Sequence, residues 1–142
     1  MSSPTHVRFP DAIDHRLCDY AAATGQAKSR IIVAALSEWL RLQRHPLVRF
    51  VTTANNERRA ALSGGPEIWT VVESWLAHDP ASRCIDAVSD ATGLDGQQVI
   101  AALEYWADNK DEIDAIITRV HASQEQAHAS WLRCQAVLHL TQ

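Results

Sequence analysis

Near the start of the chain, residues 5–9 read Thr-His-Val-Arg-Phe, so polar and apolar side chains alternate until Pro10 interrupts the pattern. Alternation with a period of two is typical of a strand with one buried face, which would here carry Val7 and Phe9. The next 35 or so residues offer no second strand, and a lone strand exposes unpaired backbone groups. A chain that begins in this way needs a partner for its strand.

Two helices are predicted after this strand. The first covers residues 11–24, with Asp11 as its cap and Gly25 just past its end. The second opens at Ser29 and runs to about Gln43. Its broad apolar face consists of Ile31, Ile32, Ala35, Leu36, Trp39 and Leu40. A segment of about 45 residues rarely buries enough surface to fold alone.

Pairing of two copies would give the strand a neighbour and would bury more surface than one segment of about 45 residues can bury alone. Two strands would form an antiparallel ribbon backed by four helices, with Val7 and Phe9 facing the helices and His6 and Arg8 facing outward. Such a ribbon fits the major groove of B-DNA, where an Arg side chain can read guanine. The sequence therefore predicts a homodimer that binds double-stranded DNA. Pairing of the strand with a hairpin at residues 48–62, with Arg8 as an ordinary surface charge, is the alternative.

The segment from residue 5 to about 43 resembles the ribbon-helix-helix family of bacterial DNA-binding proteins. The shared features are a polar-apolar-Arg-apolar-Pro strand, a helix ending in Thr-Gly, a turn with a Ser, and an apolar second helix. The resemblance implies three base-facing strand positions, which are Pro4, His6 and Arg8, although proline cannot hydrogen-bond to a base. It also implies phosphate contacts at the start of the second helix, where backbone N–H groups attract anions. The residues there are Lys28, Ser29 and Arg30.

Charge divides the chain into two parts. Residues 1–50 hold seven basic and four acidic side chains, a net of +3, whereas residues 51–142 hold six basic and thirteen acidic ones, a net of −7. A basic front and an acidic rear favour two modules with different partners. We therefore predict a DNA-binding and dimerisation domain over residues 1–45 and a second module over residues 46–142.

The second module is predicted to be a β-hairpin followed by helices. Strands at 48–53 and 58–62 flank a turn, and Pro66 suits the first position of a helix over 67–78. Asp79-Pro80 opens the next helix, which ends at Gly93, and Asp95 caps a third. Residues 110–140 form one long helix or two. The apolar helix faces are predicted to bury Trp39, Trp75 and Trp106, and Val99, Ile100 and Leu103 are also predicted to point inward. The fold class is mostly α.

Residues 79–106 are similar to a helix-turn-helix, and Gln97 and Gln98 are the side chains that would address bases there. A net charge of −7 repels phosphate, because non-specific DNA affinity comes mainly from Lys and Arg. A trihelical core of this kind also serves simply to pack three helices. We therefore favour a protein-binding module over a second DNA site.

Residues 57–116 are similar to a bacterial family of small uncharacterised domains in toxin–antitoxin operons. The matching residues are Gly64, Gly65, Leu94, Val99, Ala102, Leu103, Tyr105, Trp106, Glu112, Ile113 and Asp114. In that family the module is associated with neutralising a toxin, commonly a PIN-like ribonuclease. Together with the first resemblance, this implies an antitoxin of the VapB type. A stand-alone ribbon-helix-helix regulator, whose second module serves oligomerisation or another protein partner, is the alternative.

Candidate contacts for the toxin lie near the end of the chain. PIN-like nucleases use carboxylate-bound metal ions beside a basic surface, for which acidic residues can compete. Trp is enriched at binding hot spots, although a helix that packs back on its own domain would explain Trp131 equally well. The candidates are Asp111, Glu112, Asp114, Trp131 and Leu132.

No enzyme chemistry is predicted. His121, Glu125 and His128 share one helix face but lack a fourth metal ligand, so neither a metal site nor a cofactor is expected. Cys84 occupies an apolar position and is predicted to be buried. Three scattered cysteines, no basic region followed by an apolar run near residue 1, and no run of 18 apolar residues favour a cytoplasmic protein without membrane contact.

Overall fold

A computed structural model describes residues 3–140, with side chains placed as far as His139. The chain divides between Arg44 and His45 into two compact units, here the N-terminal unit and the rear unit. The predicted boundary lay one residue later. The described residues form six helices and one two-stranded sheet: α1 (Asp11–Thr24), α2 (Lys28–Arg44), β1 (Val48–Thr52), β2 (Arg58–Leu62), α3 (Ile68–Ala77), α4 (Ile85–Thr92), α5 (Gly96–Asp108) and α6 (Lys110–Leu140). The predicted mainly helical fold, the hairpin and the long terminal helix are confirmed.

The N-terminal unit consists of α1 and α2 preceded by an irregular segment. Residues 3–10 form no regular element within the single chain, so the predicted strand would require pairing with another molecule. Asp11 does not cap α1. Pro10 occupies that position, and its carbonyl accepts hydrogen bonds from the N–H groups of Ile13 and Asp14 at 2.9 and 3.0 Å. Gly25 ends α1 in the left-handed region, with a φ of +67°, and glycine adopts this conformation more readily than other residues do.

The second helix begins one residue before the predicted cap, Ser29. Lys28 is its first residue, and the carbonyl of Ala27 accepts from the N–H groups of Arg30 and Ile31 at 3.0 and 3.2 Å. Ser29 therefore lies inside the first turn, where its exposed hydroxyl faces outward.

The rear unit opens with the predicted hairpin. Strands β1 and β2 pair antiparallel, with Val48 opposite Leu62 and Phe50 opposite Ala60. The turn between them closes with a hydrogen bond of 2.8 Å from the Thr53 N–H to the Glu57 carbonyl. Asn56 adopts a φ of +60° in this turn, a conformation that asparagine tolerates better than most side chains do.

The predicted start of α4 at Asp79-Pro80 is wrong. The Asp79 carboxylate accepts from the Ala81 N–H at 3.2 Å, and this local turn competes with a helix. The Arg83 guanidinium donates to the carbonyls of Leu76 and His78, so the loop is fastened to the end of α3. Helix α4 then begins at Ile85.

Cys84 caps α4 and is exposed, so the prediction of a buried thiol is also wrong. Its Sγ accepts from the Ala87 N–H at 3.4 Å, a role that keeps the side chain at the helix end rather than in the core. The predicted cap of α5 is confirmed. Asp95 accepts from the Gln98 N–H at 2.9 Å, and the Gln98 side chain accepts from the Asp95 N–H at 3.1 Å.

The core lies entirely in the rear unit. Its largest fully buried side chain is Tyr105, which the apolar periodicity of α5 did not single out. Trp75 and Trp106 pack half-buried against the core, whereas Trp39 is 56% exposed and its predicted burial is not found within one chain. The buried cluster comprises Val48, Ala60, Leu62, Ile68, Val71, Val72, Val88, Val99, Ala102, Tyr105, Ile113 and Ile116.

Residues 110–140 form one continuous helix rather than two. Ile113 and Ile116 near its start are buried, and Ile117 and Val120 pack half-buried against the core. From His121 to His139 the side chains are exposed, apart from the half-buried Gln135. Among residues 3–140, no helix is long and apolar enough to cross a membrane.

Candidate nucleic-acid interface and partner surface

The N-terminal unit buries no side chain. Between residues 3 and 44, every side chain is at least partly exposed. The apolar face of α2 is open, with Val33 68% and Trp39 56% exposed. The large apolar side chains of this unit that are more than half exposed are Val7, Ile13, Tyr20, Val33, Leu36, Trp39 and Leu40. Open apolar surface of this extent on a pair of amphipathic helices is typical of a protein–protein contact.

The predicted base-facing residues lie in the irregular segment that precedes α1. Pro4, His6 and Arg8 are all exposed. Phe9, by contrast, is half-buried, while Val7 is 66% exposed. The three candidates are thus accessible in one chain, and their alignment on one face would come from pairing of the strand.

The start of α2 brings together two of the three predicted phosphate contacts as accessible groups. Ser29 and Arg30 are exposed on the first turn of the helix. They also line a shallow depression on α2 with Val33, Ala34 and Ser37.

Lys28 has a different environment, because its ammonium donates to the Asp14 carboxylate at 3.1 Å. Hydrogen bonding with Cys18 and with Asp14 raises the pKa of Lys28 above its usual value of 10.5. Sequence reasoning assigned Lys28 to phosphate without this ion pair, which joins residues 14 positions apart.

The predicted acidic cluster on α6 is largely engaged within the rear unit. The Tyr105 hydroxyl donates to the Glu112 carboxylate at 3.2 Å. The Trp106 indole N–H donates to Asp114 at 2.8 Å, and Lys110 forms an ion pair with the same carboxylate. Asp111 is exposed. Glu112 and Asp114 thus join α6 to α5, and Asp114 also forms an ion pair within α6.

The hydrogen bonds of Asp114 also change its protonation. Donation from Lys110 and then from Trp106 lowers the pKa of the Asp114 carboxyl below its usual value of 3.8. The carboxylate is therefore held in its charged form by groups of its own unit.

Trp131 and Leu132, the predicted apolar anchors, lie on the distal part of α6. They are 55% and 52% exposed, respectively. Consecutive residues on a helix point about 100° apart, so these two side chains belong to different faces. The structure does not pack Trp131 back on its own unit.

A buried histidine was missed by sequence reasoning. His45 is only 7% exposed, and its Nε2 lies 3.0 Å from Asp108 Oδ2. Its ring also meets the Tyr105 ring edge-on, at a centroid distance of 5.1 Å. This contact ties the start of the rear unit to the end of α5. In the sequence, His45 was distinguished only by its place before Pro46. A proline there predicts the end of a helix and does not predict a buried neighbour.

A cluster of ion pairs joins the hairpin to α3 and α6. Arg59 pairs with Glu57 at 2.9 Å and with Glu67 at 3.4 Å, and Arg119 pairs with the other oxygen of Glu57. Burial opposes the charge on Arg59, but hydrogen bonds to the two carboxylates outweigh that cost and raise its pKa. Beside this cluster lies an open cavity of about 480 Å³, lined by Asn55, Glu57, Arg59, Arg119, Val120, Ser123, Gln124 and Ala127.

The remaining polar candidates have structural partners or no metal-binding geometry. Gln98 closes the cap of α5, while Gln97 is exposed. His121 forms an ion pair with Glu73 of α3. Within the described part of the chain, no group of three or more His, Cys, Asp or Glu side chains is arranged to hold a metal ion.

Comparison with known proteins gives no relative: no protein-family model, curated protein or solved structure matches this chain.

Proposed function

We propose that this chain is an antitoxin of a toxin–antitoxin pair. Two copies join through their N-terminal units, and the joined units bind operator DNA of their own genes and repress them. The rear unit binds and neutralises a toxin, a PIN-like ribonuclease in the class that the sequence resemblance implies. The partners are therefore double-stranded DNA, a toxin protein and a second copy of the chain.

The observation that carries the DNA-binding half is the open apolar face of the N-terminal unit. Leu36, Trp39 and Leu40 are each more than half exposed, and no side chain from residue 3 to residue 44 is buried. Burying one large apolar side chain contributes about 1.5–3 kcal/mol. Pairing of two such faces gives this unit the core that a single copy lacks.

The same pairing supplies a DNA-reading element. Residues 5–9 gain a second strand, and alternation then puts His6 and Arg8 on the outer face of the ribbon. Arg8 reads a guanine edge in the major groove, and His6 contacts a neighbouring base. Ser29, Arg30 and the N–H groups at the start of α2 contact phosphate. Because Lys28 pairs with Asp14, it contributes less to phosphate binding than the sequence suggested.

The acidic rear unit supports a protein partner rather than a second length of DNA. Residues 51–142 carry a net charge of −7, and phosphate contacts need positive charge. Glu112 and Asp114 are engaged internally, which moves the proposed toxin contacts to exposed carboxylates. These are Asp86, Asp90, Glu104 and Asp111.

Arg8→Ala tests the DNA-reading strand. In a mobility-shift titration with the DNA upstream of the protein's own reading frame, we expect a loss of about 1–3 kcal/mol in specific binding and a relaxed sequence preference. Arg16→Ala is the matched control, because it removes the same charge from an exposed position on α1. Equal affinity of Arg8→Ala and the unaltered chain would contradict the assignment of the strand as the reader.

A stand-alone regulator with the same N-terminal unit is the second candidate, and the same unpaired apolar face supports it. Binding of a small nuclease encoded beside this chain distinguishes the antitoxin from the stand-alone regulator. An antitoxin inhibits RNA cleavage by that nuclease, and Arg8→Ala leaves the inhibition intact. A chain that binds its operator but neither binds nor inhibits the nuclease would be a regulator only.

A further inference from the structure

The distal half of α6 carries an apolar stripe that the proposed function does not use. Ile113, Ile117 and Val120 pack on the rear unit with spacings of four and three residues. The alternation of four and three continues beyond them, with the polar Gln124 as its one interruption. We define the distal stripe as Val120, Gln124, Ala127, Trp131, Cys134 and Leu138. Alternating spacings of three and four are those of the contact seam in a coiled coil.

We infer that the distal stripe binds the same stripe of a second copy, with the two helices antiparallel and the midpoint of their contact level with Ala129, whose own side chain points away from the contact. In an antiparallel pair, each position of one kind in the seam faces a position of the other kind. With Ala129 at the centre, Trp131 faces the partner's Ala127, and Leu138 faces the partner's Val120. Cys134 then faces the partner's Gln124.

Near its centre, this register matches a large side chain with a small one. The indole of Trp131 lies over the methyl group of Ala127, so the largest member of the stripe faces the smallest. Interdigitation of large and small side chains is what fills a helix interface without cavities. Trp131 is 55% exposed in the single chain, so this pairing gives it a cover that its own unit does not provide.

Charge also favours a second copy as the occupant. Between residues 121 and 139, Glu125 and Arg133 are the only Asp, Glu, Lys or Arg side chains, and neither belongs to the stripe. The segment is thus neutral, although residues 51–142 carry −7 in total. Two such segments approach without the repulsion that the rest of the rear unit would impose.

The open cavity of about 480 Å³ lies where this register needs space. It is bounded by the hairpin turn on one side and by α6 on the other. Its α6 wall includes three members of the stripe, which are Val120, Gln124 and Ala127. Those three are the residues that the partner's Leu138, the partner's Cys134 and the partner's Trp131 face. The distal end of each copy's α6 thereby binds in the cavity of the other copy's rear unit. That cavity lies beside the residues through which α6 packs on its own core.

The inference removes Trp131 from the toxin contacts predicted from sequence and leaves Leu132 on a different face. It involves no residue before His45, so it stands independently of the proposed DNA binding. If the N-terminal units also pair, the chain has two self-association surfaces and can link dimers bound at neighbouring DNA sites.

Disulfide trapping tests the register. In a full-length chain carrying Cys18→Ser and Cys84→Ser, Gln124→Cys puts a thiol opposite the partner's Cys134. We expect mild oxidation at micromolar concentration to convert most of the chain to a dithiothreitol-sensitive covalent dimer. The two thiols of one chain are ten residues apart on one helix, about 15 Å, which prevents an internal disulfide.

Three further variants give the contrast. Ala129→Cys in place of Gln124→Cys puts the thiol on the opposite face of α6 and should form at least tenfold less dimer. In the Gln124→Cys chain, Trp131→Asp should reduce crosslinking at least tenfold, whereas Leu132→Asp should leave it within twofold. Efficient crosslinking through Cys134 alone would indicate a parallel pair and overturn the inference. Equal loss with Trp131→Asp and Leu132→Asp, or no dimer with Gln124→Cys, would also overturn it.

Discussion

At the scale of single residues, Asp114 is the clearest case of a predicted contact that the fold uses internally. Its carboxylate accepts from Trp106 of α5 and pairs with Lys110 on its own helix. These donors, with Lys110 first, lower the pKa of Asp114 below 3.8. The charged form of the Asp114 carboxyl is therefore more stable in the folded state than in the unfolded state.

Asp114→Asn should make stability less dependent on pH. A carboxyl whose pKa is lowered by folding contributes stability above its unfolded pKa and loses it as pH falls through its folded pKa. Because the side chain is 40% exposed, solvent screens the pair, and we expect a loss of about 0.5 kcal/mol at pH 7. Thermal unfolding from pH 7 to pH 2.5 measures the difference in stability between the variant and the unaltered chain, which should begin to shrink below about pH 4.

The control for this prediction is Glu104→Gln, an equal charge change at an exposed position on α5. It should produce no comparable gap that closes at acid pH. A difference between Asp114→Asn and the unaltered chain that persists undiminished at pH 2.5 would show that lost packing, rather than lost charge, destabilises the variant.

The site residues that turned out to have partners within the chain share one physical cause. A charge in the sequence shows neither its partner nor its burial, because both depend on residues far along the chain. Arg119 and Glu57 pair across 62 positions, and His45 meets Asp108 across 63 positions. Lys28 is the same case in the N-terminal unit, where Asp14 occupies it. Assigning such side chains to DNA or to a toxin requires the tertiary structure.

At the scale of helices and strands, features encoded by neighbouring residues were predictable. The hairpin follows from β-favouring side chains around a polar turn, and Gly25 and Gly93 end their helices in the left-handed conformation. The start of α4 was not predictable in this way, because Asp79 forms a turn and Arg83 binds the end of α3. A competing turn at Asp79, held in place by hydrogen bonds from Arg83 to carbonyls five and seven residues earlier, displaced the expected cap.

Asp95→Ala tests the contribution of a predicted cap. The variant removes the acceptor of the Gln98 N–H, and we expect it to destabilise the rear unit by about 1 kcal/mol, as lost caps do. Urea unfolding followed by tryptophan fluorescence is the measurement. Gln97→Ala is the control, since Gln97 is exposed on the same turn, and it should change stability by less than about 0.5 kcal/mol. Equal effects of the two changes would mean that the cap contributes nothing specific.

At the scale of the whole molecule, the two units differ in whether a single chain gives them a core. The rear unit has twelve buried residues in one apolar cluster, whereas residues 3–44 have none. Hydrophobic periodicity predicted both helices of the N-terminal unit but could not show whether their apolar faces meet within one chain. In the described fold Trp39 and Leu40 remain exposed after the helices have formed, so the two helices of one chain do not cover the whole apolar face.

Stability that depends on concentration follows from this difference. If the N-terminal unit folds only as a pair, protection of its amides rises with the square root of protein concentration, since each opening releases two unfolded copies. Hydrogen exchange of the Trp131→Asp chain, in which the proposed α6 pair is broken, should then show about tenfold greater protection for residues 11–44 at 100 μM than at 1 μM. Residues 48–117, which hold the core, serve as the internal reference and should be protected equally at both. Protection of residues 11–44 that is high and independent of concentration would mean that one copy is sufficient, and the paired DNA-reading ribbon would then have no physical basis.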